Sequence, residues 1–123
     1  MDALLAVDES GSISDEMVKA FFAELFEINK IIGGNFFVTV FDTMCKEPVS
    51  LNKFILDSER EKRGGTDYRP VFALADRLKM PLVILFTDGD GQMPDSVNQN
   101  TLWVLTKNTR QEMAFGYSVP FER

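Results

Sequence analysis

The stretch ALLAVDESGS, residues 3–12, joins an apolar run to a carboxylate and two hydroxyl side chains. Residues 3–7 are apolar without alternation, which is typical of a parallel strand that is covered on both faces. Asp8, Ser10 and Ser12 follow at intervals of two residues, so one turn can present their oxygen atoms together. Mg²⁺ and Mn²⁺ prefer such hard ligands, whereas Zn²⁺ prefers His or Cys. The stretch therefore predicts a buried strand that ends at an oxygen-rich cation site.

Two later segments offer further oxygen ligands. Thr66 and Asp67 follow a pair of glycines, and Asp88 and Asp90 follow the most apolar run of the chain, residues 82–86. In open α/β sheets, ligands bind outside the carboxyl ends of the strands, near the switch in strand order. Since Asp8 and Asp88 both come directly after apolar strands, we expect them to converge at that edge.

The rest of the pattern alternates strands and helices. A helix is predicted from Ser14 or Asp15, with apolar residues at helical spacing up to Ile32 and Gly33-Gly34 as its end. The other predicted elements are strands at 35–41, 101–106 and 115–119, a weaker edge strand at 44–51, a helix from Pro70 to Lys79, a loop at 88–100, and a short helix or loop at 54–63. The edge strand contains Pro48, which favours an antiparallel edge position. The alternation predicts an α/β fold with a doubly wound, mostly parallel sheet and helices on both faces.

Composition narrows the class of protein. The chain has 123 residues and a net charge of −6, which predicts one domain with a real core and disfavours nucleic-acid binding. It shows no signal peptide and no apolar stretch near the length of a membrane span. A single cysteine, Cys45, and the absence of His fit a reducing cytoplasm and leave no imidazole to activate a thiol. We expect one cytoplasmic domain over residues 1–123 that binds no membrane and is cut from a longer protein.

Taken together, the three segments resemble the metal-ion-dependent adhesion site of a von Willebrand factor A (VWA) domain. That pattern is Asp-x-Ser-x-Ser, here at residues 8–12, then a distant Thr, here Thr66, then an Asp in a Thr-Asp-Gly turn, here Asp88. The run RGGTDYRPVF, residues 63–72, is similar to the C-terminal VWA-like domain of bacterial proteins that carry a metallopeptidase-like region before it. No His-Glu-x-x-His is present, so any peptidase activity would belong to an N-terminal region absent from this chain.

The resemblance implies a Rossmann-like VWA fold and a bound Mg²⁺ or Mn²⁺. The implied ligands are Asp8, Ser10, Ser12, Thr66 and Asp88, with Asp67 and Asp90 as acids outside the ligand set. An ion held mainly by hydroxyls and water keeps excess positive charge and can accept a partner's Asp or Glu carboxylate. The implied function is a non-catalytic, metal-dependent protein-binding module, with an AAA+ ATPase of the MoxR type as the implied partner. The sequence departs from the family after Val119, where no usual C-terminal helix fits, so we expect a trimmed module without a switching terminal helix.

Two other interpretations stay open. Asp8 and Asp88 could serve a metal-dependent enzyme of phosphoryl transfer or hydrolysis, although the chain has no His and no phosphate-binding glycine loop. Alternatively, the fold could be a structural module without metal, in which Ser10, Ser12 and Ser14 cap a helix and Asp88 only forms a turn.

Overall fold

A single mixed sheet organises the chain. The computed structural model describes residues 2–9, 13–53, 65–106 and 113–121, so the segment 54–63, predicted as a short helix or loop, lies outside the described residues. Within these ranges the strands are β1 (Asp2–Asp8), β2 (Asn35–Phe41), β3 (Val49–Ser50), β4 (Leu82–Thr87), β5 (Asn100–Leu105) and β6 (Tyr117–Pro120). The helices are α1 (Asp15–Ile32) and α2 (Arg69–Arg77), with a short 3₁₀ turn at Leu51–Lys53.

The six strands lie in the order β3-β2-β1-β4-β5-β6, and all neighbours are parallel except β3, which runs antiparallel to β2 at the edge. The predicted α/β sheet with one antiparallel edge strand is therefore confirmed. β3 is shorter than predicted: Pro48 has no N–H to give to a ladder, and the hydroxyl of Thr39 bonds the carbonyl of Lys46 at 2.6 Å. That segment therefore contacts β2 through an isolated antiparallel bridge between Cys45 and Phe41, and the ladder begins at Val49.

α1 begins and ends where its sequence signals predict. Ser14 is the N-cap and its Oγ accepts a hydrogen bond from the amide of Met17 at 3.2 Å. Gly33 ends the helix in the left-handed region at φ 70°, a conformation that glycine adopts without a steric cost. Phe26 is 38% exposed, although it is apolar, since a step of about 100° from Leu25 carries it beyond the sheet. None of the described helices is long and apolar enough to cross a membrane.

Alternation along β1 separates the core into two layers. Ala3, Leu5 and Val7 pack on the α1 side, and Leu4 and Ala6 pack on the α2 side; all five are fully buried. The α1 layer includes Phe21, whose ring stacks on Phe86 at a centroid distance of 4.2 Å. The α2 layer is built around Tyr68 and Trp103, whose rings meet edge to face at 4.9 Å. Both faces of the sheet thus carry a helix, as predicted.

The ladder places the ends of the central strands side by side. Val7 pairs with Phe86 and Asp8 pairs with Phe41, so Asp8 and Thr87 are the next neighbours at the carboxyl ends of β1 and β4. The chain leaves β1 towards β2 through α1 and returns to β4 on the other side of β1 through α2. The switch in strand order therefore lies between β1 and β4, where open α/β sheets bind ligands.

Candidate metal centre

A chain of hydrogen bonds joins the two central strands to the start of α2. Thr87 Oγ1 donates to Asp8 Oδ2 at 2.7 Å, and the hydroxyl of Tyr68 lies 2.8 Å from Thr87 Oγ1. Thr87 has one hydroxyl proton, which it gives to Asp8, so Tyr68 must be the donor to Thr87. All three residues are fully buried. The carboxylate of Asp8 is thus held in one orientation by a donor that is itself held by Tyr68.

Three acidic side chains act on this hydroxyl chain. Burial is the main cause that raises the pKa of the Tyr68 hydroxyl; the negative charges of Asp8, Asp88 and Asp90 raise it further, against the hydrogen bond to Thr87. Tyr68 therefore stays protonated and remains a donor at neutral pH. Asp8 ends β1, and Asp88 and Asp90 follow β4; because Val7 pairs with Phe86, these acids lie at the same edge of the sheet.

The loop after β4 forms a turn around Asp88. Asp88 is 8% exposed, and its Oδ1 accepts a hydrogen bond from the amide of Asp90 at 2.9 Å. The amide of Gly89 lies 3.5 Å from Thr87 Oγ1. Asp88 therefore has the turn role that its sequence permits and also lies beside the Asp8–Thr87 pair.

Thr66 packs directly against this loop. Gln92 donates its amide to the carbonyl of Thr66 at 3.2 Å, and Tyr68 donates its amide to the carbonyl of Gln92 at 3.0 Å. A Cβ at Gly91 would lie 2.9 Å from the carbonyl oxygen of Thr66 and 2.7 Å from Cε2 of Tyr68. Only a residue without a side chain lets the loop approach so closely, so Gly91 sets the position of Thr66 relative to Asp88.

Asp67 forms an ion pair with Arg69. Arg69 donates from Nε to Oδ1 at 2.9 Å and from Nη2 to Oδ2 at 2.7 Å, and these hydrogen bonds are the main cause of the lowered pKa of Asp67. The amide of Asp67 bonds the carbonyl of Asp42 at 2.9 Å. Asp42 itself stabilises a turn, because its Oδ1 accepts a hydrogen bond from the amide of Met44 at 3.0 Å. The Thr66–Asp67 segment is therefore tied to the end of β2.

The structure brings together most of the residues that the sequence singled out. Asp8, Asp88 and Asp90 gather at one edge, Thr66 packs on the same loop, and Asp67 lies beside it with its carboxylate held by Arg69. Ser10 and Ser12 lie outside the described residues. Their roles, like those of the other predicted ligands, stay predictions.

Comparison with known proteins now identifies the domain. The chain matches the family described as VWA-like domain (DUF2201) over residues 3–122. It belongs to that family. Membership in a VWA-like family supports a role in protein interaction, and no curated protein sequence matches the chain closely enough to add to this.

Solved structures share the VWA-like architecture at low sequence identity. An aerotolerance-related membrane protein from Bacteroides fragilis, with multiple mutations to serines, superposes with a TM-score of 0.61 at 16% identity, over 85% of this chain and 67% of that one. BatB from Bacteroides thetaiotaomicron gives 0.58 at 15% identity, over 85% and 66%. VWA2, an ArnB paralog from Sulfolobus acidocaldarius, gives 0.54 at 18% identity, over 85% and 34%. These likenesses show the fold, and the chain spans only part of each neighbour.

The donor set of this VWA-like edge fits a hard cation. Within the described ranges, no three acidic or thiol side chains are placed to enclose an ion by themselves, so a site here needs hydroxyl ligands as well. Thr66 packs against Gly91 of the loop after β4, and Ser10 and Ser12 follow β1 in the sequence. Carboxylate and hydroxyl oxygens without His or thiolate are the chemistry that Mg²⁺ and Mn²⁺ select.

Sequence reasoning missed three contributors to this edge. Thr87 belongs to the Thr-Asp-Gly motif, and its two-residue offset from Leu85 places its side chain on the α2 side. Tyr68 had no local signal, because its burial comes from contacts with Phe41 and Trp103, which are distant in sequence. Glu9 is 3% exposed and pairs with Lys46 at 3.3 Å; only the register of β1 beside β2 reveals that pair.

The close approach at Gly91 leads to a first prediction. Gly91→Ala places a methyl group against Thr66 and Tyr68 and should displace one of them, with a loss of about 1–3 kcal/mol in unfolding free energy. Chemical denaturation measures that loss, and Mn²⁺ titration should show weaker ion binding. Gly33→Ala is the matched control: its Cβ would meet nothing within 4 Å, so any cost should come from backbone strain alone and leave ion binding unchanged. Parental ion affinity in Gly91→Ala would contradict a ligand role for Thr66.

Proposed function

We propose that this VWA-like domain is a non-catalytic protein-binding module that depends on Mg²⁺ or Mn²⁺. The observation that carries the proposal is the buried Asp8 carboxylate, oriented by Thr87 and Tyr68 at the strand-order switch, with Asp88 and Asp90 acting on the same hydroxyl. Asp8, Thr66 and Asp88, with Ser10 and Ser12 from the loop after β1, would hold the ion. The ion would supply an open position for a partner's carboxylate.

The electrostatics of the acidic edge support a bound cation. Two carboxylates about 4 Å apart repel by about 1–4 kcal/mol, depending on the local dielectric. Asp8 and Asp88 are buried, and water screens the interaction of buried charges less than that of exposed ones. A divalent ion removes that cost and replaces it with attraction, so the fold gains stability from the ion.

The side chains near this edge support binding over catalysis. General acid–base catalysis needs a group that exchanges protons near neutral pH. Tyr68 has a raised pKa and donates to Thr87, and burial, with the charge of Asp42, raises the pKa of the Cys45 thiol to about 12. The chain contains no His. The alternative, a metal-dependent hydrolase or phosphoryl-transfer enzyme that uses Asp8 and Asp88, would have to use a carboxylate of this edge for proton transfer.

The proposal extends to the partner and its compartment. A cation that keeps excess positive charge selects an Asp or Glu side chain on the partner, so we place an acidic residue at the centre of the partner's surface. Resemblance to bacterial VWA-like proteins favours a cytoplasmic AAA+ ATPase of the MoxR type, which is an argument by analogy.

Metal binding should be measurable as stability. A ligand at ten times its dissociation constant stabilises a protein by about 1.4 kcal/mol, which corresponds to a melting shift of several degrees for a domain of this size. Millimolar Mg²⁺ or Mn²⁺ should produce that shift in the parental chain after chelation, and should not produce it in Asp88→Ala. Apo Asp88→Ala should be as stable as the apo parent or slightly more stable, because one repelling charge has gone.

The matched control is Asp76→Ala. Asp76 is an exposed acid on α2 that bonds Gln99 just before β5, so it lies near the amino ends of the strands, away from the proposed site. Asp76→Ala should keep the full Mg²⁺ shift. A parental chain that shows no shift, or an apo Asp88→Ala that loses more than about 3 kcal/mol, would favour the structural module without metal.

Tyr68→Phe tests whether the hydroxyl chain orients the ligand. The substitution keeps the ring packing and removes the donor to Thr87, so stability should fall by about 1 kcal/mol. Partners that orient a metal ligand usually contribute 10–100-fold in affinity; Tyr68 acts one step further out, and we expect Mn²⁺ affinity to fall about threefold to tenfold. Thr87→Val removes the donor to Asp8 itself, so this variant should bind Mn²⁺ more weakly than Tyr68→Phe. Equal Mn²⁺ affinities for the parent and both variants would show that Tyr68 and Thr87 contribute to packing and not to the orientation of the ligand.

Binding and catalysis differ in turnover. With Mg²⁺ or Mn²⁺ present, we expect no hydrolysis of generic phosphomonoesters, phosphodiesters or peptides. Crystals grown with the ion and acetate should instead show water, acetate or a neighbouring molecule's Asp or Glu on the ion. Metal-dependent turnover that disappears in Asp8→Ala would overturn the assignment and establish the hydrolase alternative.

A further inference from the structure

Within the described parts of the chain, the winding of the sheet leaves half of one face without a helix. Connections between parallel strands are right-handed. The connection from β1 to β2 and a connection that moves across the sheet in the opposite direction therefore lie on opposite faces. The steps from β4 to β5 and from β5 to β6 go away from β1, and residues of both connections pack in the α2 layer, namely Met93, Val97, Met113 and Phe115. Among the described elements, α1 is the helix that remains for the other face of β4, β5 and β6.

A cavity of about 610 Å³ lies on that face, between α1 and the end of β6. Its floor is apolar and consists of Leu82 and Ile84 from β4 and Leu102 and Val104 from β5. Phe21 and Leu25 form the wall on the α1 side, and Val119 and Phe121 form the opposite wall. We call this cavity the α1-side groove.

The strand residues at the groove are more accessible than those on the opposite face. Ile84 and Val104 are each 8% exposed, and Leu82 and Leu102 are half-buried, whereas Val83 and Leu85 are fully buried under α2. Val119 at the rim is 43% exposed. Parallel strands that are apolar on both sides are normally covered on both sides, and the element that covers such a face is a helix.

Charge indicates what kind of helix fits. Glu24 is exposed on α1 and lines the groove. Within the described residues its carboxylate has no ion-pair partner, in contrast to Glu27, which pairs with Lys30 at 3.2 Å. An incoming helix with a Lys or Arg beside its apolar stripe would complement Glu24.

We propose that the α1-side groove docks an amphipathic helix of a partner protein, with a basic side chain opposite Glu24. Such a helix places residues i, i+3, i+4 and i+7 on the strand floor and lies beside α1 as the second helix of that layer. A second copy of this chain is a poorer occupant, because a symmetric contact through the groove brings Glu24 towards its own copy on a chain of net charge −6. The proposal does not depend on a metal ion.

Two labelled helical peptides test the groove. Both carry Leu at i, i+3, i+4 and i+7 on an Ala and Gln background, and they differ only in one flanking residue, Lys or Glu. Fluorescence polarisation at low salt should show that the parental chain binds the Lys peptide about twofold to fivefold more tightly, the range for one exposed charge pair. Glu24→Lys should reverse this preference. Glu27→Lys, a matched change on the solvent side of the same helix, should retain it.

Methyl NMR locates the bound peptide. Signals of Leu82, Ile84, Leu102, Val104 and Val119 should shift on addition of the Lys peptide, and signals of Val83 and Leu85 on the α2 face should not. The proposal is overturned if neither peptide binds at a concentration near 1 mM (about −4 kcal/mol of binding free energy), if Lys and Glu peptides bind equally, or if the shifts lie on the α2 face. Self-association of the chain through these methyl groups would assign the groove to a second copy and also overturn it.

Discussion

Thr87 donates a hydrogen bond to Asp8 across the two central strands, at a depth where neither side chain reaches water. A buried carboxylate without such a partner would cost several kcal/mol, so β1 and β4 must keep the register that brings the two side chains together. A slip of one residue would turn Thr87 to the α1 face together with Leu85 and exchange the two layers of the core. The packing of the apolar residues and the geometry of the acidic edge therefore depend on the same ladder between β1 and β4. A slip in that ladder would disrupt both.

Ion pairs and hydrogen bonds orient the acids at this edge. Arg69 pairs with Asp67, and Lys46 pairs with Glu9, so two of these acids have cationic partners in the described part of the chain. Asp8 and Asp88 accept hydrogen bonds from neutral donors, the hydroxyl of Thr87 and the amide of Asp90. Each of these bonds fixes the direction of a carboxylate. A carboxylate that is oriented in this way is suited to act as the ligand of a cation.

The sequence predicted the strands and the helix ends of this domain better than it predicted the contacts between side chains. Uninterrupted apolar runs identified β1 and β4, and the turn residues after them placed Asp8 and Asp88 at one edge, because the ends of parallel strands must meet. Ser14 and Gly33 marked the ends of α1 through local capping chemistry. Tyr68 escaped prediction since its burial follows from aromatic neighbours on other strands, and no local pattern records them. The shortness of β3 likewise follows from a side-chain bond of Thr39 that competes with the ladder.

β4 has a special position, because its two sides serve the two proposed surfaces. Leu85 and Thr87 face α2 and the acidic edge, while Ile84 and Phe86 face the α1 layer, where the α1-side groove lies. Phe86 is clamped between Phe21 and Phe121 at ring distances of 4.2 and 5.1 Å, so a helix in the groove would press on side chains that contact the residue before Thr87. Coupling between the two surfaces would nevertheless require a second stable arrangement of β4. Ladders to β1 and β5 hold β4 on both sides, which favours a single arrangement, so occupation of one surface should leave the affinity of the other unchanged.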